Sequence, residues 1–178
     1  HVAAGSEAKA EGAKYYGGDV RVAQNTETGH VAVAFQGAAA GTPEFYTAQV
    51  LRSLLGGDRF VKWSTAGADH KNIAEAAKTA VASLKAASKS ISADEFKRAL
   101  AQAKFETAAR YETRAASTEI LAAQAIQGHK VSASESLAAF DKVSAADVSK
   151  FAAKLLSSKP TTVVLGRTSE LPYGDALF

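Results

Sequence analysis

Cysteine is absent from all 178 residues. That excludes disulfides, thiolate zinc sites, iron–sulfur ligation and a cysteine nucleophile. No apolar run approaches the roughly 18 residues that a membrane-crossing helix needs. Charge of one sign is missing as well: 21 basic and 18 acidic residues leave a formal net charge of +3. So mixed a surface lacks the concentrated basic stripe that nucleic acid selects. No signal-like segment follows His1. Residues 1–14, HVAAGSEAKAEGAK, are small and polar, and are expected to be a linker from an N-terminal half that the sequence does not contain.

What is present is alanine. Hydrophobic residues make up 47% of the chain, but 40 of the 178 are Ala. The length suits one domain, residues 15–178, with a real core. That core is expected to consist of thin helices with few bulky anchors.

Val20 and Val22 alternate with Asp19 and Arg21, and Val31, Val33 and Phe35 alternate with His30, Ala32 and Ala34. This period of two predicts two strands, and NTETG between them is turn chemistry. Closed as a hairpin, Val22 faces Val31 and Val20 faces Val33, so that all four valines share one buried face. His30 then falls on the other face with Ala32 and Ala34. Thr42 and Pro43 are a helix start, with Gly56 and Gly57 as its stop. Residues 68–88 are amphipathic, with Ile73, Ala77, Ala80 and Leu84 along one side. Ser92 and Glu95 form a capping box for a helix running to about Arg114. Ser117–Gln127 and SASESLAAFDKV predict two more helices. Ser144 and Asp147 open a last long helix carrying Val148, Phe151 and Leu155 inward. TTVVLG (161–166) reads as a strand, followed by an irregular tail. The fold class is α+β: an antiparallel sheet with helices packed on one face. Three strands are a narrow platform for so many helices.

Little reactive chemistry is legible. The four histidines, His1, His30, His70 and His129, never lie within one helical turn of each other. The metallopeptidase pattern of two His at i and i+4 around a Glu is absent. Asp94–Glu95 and Glu106–Glu112 are explained by helix caps and solvated faces. The GG pairs at 17–18 and 56–57 have neither P-loop nor dinucleotide-fingerprint spacing. No catalytic, metal or cofactor-binding residue is assigned, and no cofactor is expected.

The order of segments carries a resemblance. KYYGGDVRVAQNTETGHVAVAFQG, then FYTAQVLRSLLGG, then SLAAFDKVSAADVSKFAAKLLSSKPTTVVLG with ELPYGDALF resembles the C-terminal half of the core-protein-2 family. That family belongs to mitochondrial ubiquinol–cytochrome c reductase (complex III). Tyr16, Gly17, Gly18, Asp19 and Arg21 match its entry into the first strand. Val50, Leu51, Leu54, Leu55 and Gly56 match its leucine-rich helix end; Leu171, Pro172, Tyr173, Asp175 and Leu177 occupy its "lPy-dal" tail. The wider family is that of pitrilysin-like metallopeptidases, built from two homologous α+β halves with the zinc motif H-x-x-E-H in the N-terminal one. The resemblance implies a non-catalytic, matrix-side scaffold, peripheral to the mitochondrial inner membrane. Its implied partners are core protein 1, cytochrome b and cytochrome c1. The small-residue face of Ala32 and Ala34, and the tail through Phe178, are where a partner is expected. An alternative is the C-terminal half of a zinc-dependent processing or insulinase-type peptidase.

One departure stands out. Family members place a short helix and two further strands between the segment matching DRFVKW and the helix that begins near Asp69. An Arg and a Tyr of that region help to hold substrate in active relatives. Here STAG runs straight into ADHKN, so that pair has no counterpart. A gap between Trp63 and Asp69 is expected, and continuous Cα spacing of about 3.8 Å there would reject it. An unrelated α+β module, by contrast, would leave strand 161–166 outside the sheet of the first two strands.

Overall fold

The structure is a computed structural model that describes residues 14–56 and 70–178. The expected linker and gap lie almost wholly outside the described residues, so the Cα-spacing criterion does not apply. The order is β1 (Gly18–Ala23), β2 (His30–Ala34), α1 (Pro43–Leu54), α2 (His70–Lys89), α3 (Ala93–Arg110), α4 (Arg114–Ile126), α5 (Ala133–Phe140), α6 (Ala145–Ser157) and β3 (Thr161–Gly166). Two 3-10 turns, Thr168–Glu170 and Gly174–Leu177, shape the tail.

Capping chemistry sets most helix starts. Ser92, Ser132 and Ser144 each accept a hydrogen bond from the backbone N–H three residues on, and the Glu or Asp there accepts one in return. Thr113 Oγ1 accepts from the Ala116 N–H, so α4 begins at Arg114 rather than Ser117. The preceding helix accordingly stops at Arg110. Thr42 precedes Pro43 as expected, but its hydroxyl donates back to the Ala39 carbonyl instead of capping α1. On α2 the inward positions are Ile73, Val81, Leu84 and Ala87; Ala80 is exposed.

The main core lies between α1, α2, α3, α5 and α6. Val50, Phe140, Val148 and Ala152 are almost wholly buried there. Tyr46 stands edge-on to Phe140, with ring centroids 5.1 Å apart. Ala87, Ala99, Ala103 and Ala152 let these helices approach closely, so the alanine-rich composition does appear as thin helix interfaces. Phe105, on α3, points away and is 66% exposed.

The sheet corrects the hairpin. β3 lies between the other two strands, in the order β1-β3-β2. β1 runs parallel to it, with Val20 beside Val163 and Arg21 beside Val164. β2 runs antiparallel, with Val31 beside Val164 and Ala32 beside Val163. The sheet is therefore mixed, and only the β2–β3 pair fits the antiparallel expectation. NTETG bridges two strand spacings, about 10 Å, which its length allows easily. Strand 161–166 joins the first two strands and occupies the centre, which removes the unrelated-module reading. Gly17 makes the entry to β1: its φ is 67°, and a Cβ there would sit 2.7 Å from the Lys159 carbonyl oxygen.

Candidate docking face and the Arg21 clamp

Register divides the sheet residues between two faces. Thr162 and Val164 of β3 are 2% and 0% exposed, and Arg21, Val31 and Val33 share their side. Ile73 of α2 and Leu171 of the tail close over Val164, with Val31 packed alongside. The opposite face carries Val20, Val22, Val163, Leu165, His30, Ala32 and Ala34. Val20 is 50% and Val22 41% exposed, and His30, Ala32 and Ala34 are exposed too. The four valines thus divide between the faces, because inserting β3 breaks the pairing that would have aligned them. His30 does lie with the two alanines, as expected, but the β1 valines lie there with it. The result is a half-open, largely apolar surface.

The histidines remain scattered. His30 sits 3.4 Å from the Thr28 hydroxyl. His129 is half-buried against Gly41, whose Cβ position lies 3.3 Å from the ring. His70 opens α2, its side chain lying outside the described residues, as does His1. Among the described residues no three His, Asp or Glu side chains gather at a spot that could hold a metal ion. Glu106 pairs with Arg52 at 3.6 Å and accepts from Gln102. A groove of about 760 Å³ beside α4 is lined by Phe105, Glu106, Tyr111, Ile120 and His129. Gln124 fixes its rim by bonding both the N–H and the carbonyl of Val131. Among the described residues no helix is long and apolar enough to cross a membrane.

Arg21 is the residue that sequence reasoning placed but did not interpret. It lies on the covered face, and its guanidinium donates to the carbonyls of Thr168 (2.5 Å), Pro172 (2.8 Å) and Leu171 (3.1 Å). The guanidinium also stacks over the Tyr173 ring, 4.1 Å from its centroid. Only the planar fork of arginine can serve several carbonyls and an aromatic face together. A signal was present, in an Arg between two strand valines and a tail rich in turn residues, yet nothing local joined them.

The three capping carboxylates are the groups whose acidity shifts. The Ser92 hydroxyl and then its backbone N–H hold Glu95 below the ordinary value of 4.5; Ser132 does the same for Glu135. Ser144 holds Asp147 below 3.8. A carboxyl with a depressed folded pKa binds its proton more weakly folded than unfolded, so its contribution is present at neutral pH and lost on acidification. Urea unfolding at pH 6 and pH 3 is expected to show a loss of stability in acid. The loss should shrink in a Glu95→Gln, Glu135→Gln, Asp147→Asn triple variant, and an equal loss in both proteins would refute the assignment.

No protein-family profile matches the chain. Among curated proteins it is 31% identical over 211 residues to "Cytochrome b-c1 complex subunit 2, mitochondrial" of Cryptococcus neoformans, with 97% of this chain and 47% of that protein covered. The protein of the same name from Neurospora crassa is 30% identical, covering 92% of this chain and 43% of its own length. That from Schizosaccharomyces pombe is 28% identical, at 97% and 47%. A chain of a solved structure, "Complex III2 from Candida albicans, Inz-5 bound", shares the fold with a TM-score of 0.77. It is 19% identical and is matched over 91% of this chain and 49% of its own. The chain spans about half the length of the curated relatives it matches. The 211 aligned positions with the Cryptococcus protein exceed the 178 residues present, so that relative carries residues with no counterpart here. Similarity thus runs over nearly the whole of this chain to one set of proteins, the mitochondrial cytochrome b-c1 complex subunit 2 proteins, of which it matches about half.

Proposed function

We propose that this chain is a structural, non-catalytic half of a core subunit of respiratory complex III, peripheral to the inner membrane on the matrix side. The observation that carries this reading is similarity along nearly the whole chain to subunit 2 proteins. Its partners are core protein 1, cytochrome b and cytochrome c1. The half-open face around Val20, Val22, Ala32 and Ala34 supplies the apolar area that a partner core subunit would cover. Affinity purification of the native full-length protein from mitochondria is the test. Co-purification with cytochrome b and cytochrome c1 is expected. A protein recovered without them, or one that binds zinc and cleaves presequence peptides, would overturn the reading in favour of a processing peptidase half.

The residues that the Cryptococcus relative carries in excess belong, in this reading, between Trp63 and Asp69. Lys62 and Lys71 flank that stretch, so trypsin would release WSTAGADHK from a continuous chain. Mass spectrometry of the native protein is expected to lack this peptide and to show a longer sequence in its place. Recovery of WSTAGADHK would establish a genuine deletion.

A further inference from the structure

We propose that residues 167–178 form a strap that opens and closes as a unit over the sheet while the helical core stays folded, with Arg21 as its catch. The apolar contacts come in two separate groups. Ile73, Val164 and Leu171 form a small cluster distinct from the core of α1, α2, α3, α5 and α6, with α2 contributing to both. Leu171 is the tail's contribution to it, and Leu177, 3% exposed, is the tail's second buried anchor. Tyr173 and Phe178 remain 63% and 37% exposed.

The strap's polar attachments share this separability. Among the described residues its backbone hydrogen bonds are local, from Glu170 to Arg167, Leu171 to Thr168 and Ala176 to Tyr173. It adds no rung to the sheet. Side chains reach it from elsewhere: Arg21 through three carbonyls and the Tyr173 ring, Lys85 through the Phe178 carbonyl at 2.5 Å, and Phe35 through an edge contact with Phe178. Gly174 lies flat on Thr162, where a Cβ would come within 3.0 Å of the hydroxyl oxygen. Gly166, with φ 135°, marks where the chain leaves β3 and gives the strap a pivot that other residues rarely adopt.

Segments with few buried apolar anchors and mainly local backbone bonds open at lower free energy than the core around them. Opening here uncovers Thr162 and Val164 and strips the Arg21 guanidinium of its acceptors. The catch is therefore concentrated in one side chain, remote from the strap by nearly 150 residues of sequence.

Hydrogen exchange on the full chain, followed by mass spectrometry, tests the idea. Arg21→Gln is expected to speed exchange across 168–178 by at least about tenfold, because charge-assisted bonds to three carbonyls are lost. Amides of α3 and α6 should exchange as in the unsubstituted protein. Arg21→Lys, which keeps the charge but not the fork, should fall between. Equal acceleration of tail and helices, or none in the tail, overturns the proposal. Should Arg21→Gln not fold, the unsubstituted chain in low urea still decides. The strap's exchange is expected to depend on urea less steeply than that of α3 and α6, and an identical dependence would mean that the tail opens only by global unfolding.

Discussion

Phe140→Ala is expected to lower the free energy of unfolding by about 3–5 kcal/mol, enough to leave a domain of this size marginal. Phe140 is 1% exposed and is the largest of the fully buried side chains. The core it closes is short of alternatives. Four of the core cluster's buried residues are Ala, and the bulky ones are shared among four helices, α3 contributing only alanines. Neighbouring alanines have no longer side chain to swing into the vacated space, so the cavity would persist. Tyr46 would also lose the ring against which it stands edge-on. Phe140→Leu keeps most of the volume and should cost far less. Urea unfolding of the three proteins at one pH measures this, and a Phe140→Ala loss under about 1 kcal/mol would show that α5 is not the keystone its burial makes it.

The contrast between helices and sheet explains what the sequence made legible. Helix starts are local: Ser92 and Glu95, or Ser144 and Asp147, meet across a single turn, and their spacing alone announces the cap. The same pattern at Ser132 and Glu135 was equally visible. Where the reading slipped, at α4, the cap was Thr113 without an acidic partner three residues on. Strand pairing is not local. The alternation at Val20, Val22, Val31 and Val33 correctly marked two strands, yet alternation is silent about which strand lies beside which. The partner of both was encoded about 130 residues later, in TTVVLG. The Arg21 clamp escaped for the same reason, since an arginine in a strand is indistinguishable from a solvated one until the tail is folded over it. The half-open face followed directly from the corrected sheet order, and only its alanine half, Ala32 and Ala34, could be read beforehand.

On the scaffold role proposed above, substituting Val20 and Val22 together by Lys is expected to remove the protein from complex III, with at least about a tenfold fall in the amount co-purifying with cytochrome c1. The fold should survive. Both side chains point away from the cluster of Ile73, Val164 and Leu171, and they are already half in water, where substitutions usually change stability by about 0.5 kcal/mol or less. Lysine on a sheet also tolerates exposure, so thermal unfolding of the isolated protein should hardly move. Burial at an interface changes the balance. Two ammonium groups in the middle of an apolar contact must shed their hydration without a partner, and an uncompensated charge there costs several kcal/mol. Lys97→Gln, an exposed change on α3 away from the sheet and the tail, is the matched control. If the double variant assembles as well as the control, another surface meets the partner subunit. If it unfolds, the face is load-carrying within the domain itself, and the two measurements, melting and co-purification, separate those results cleanly.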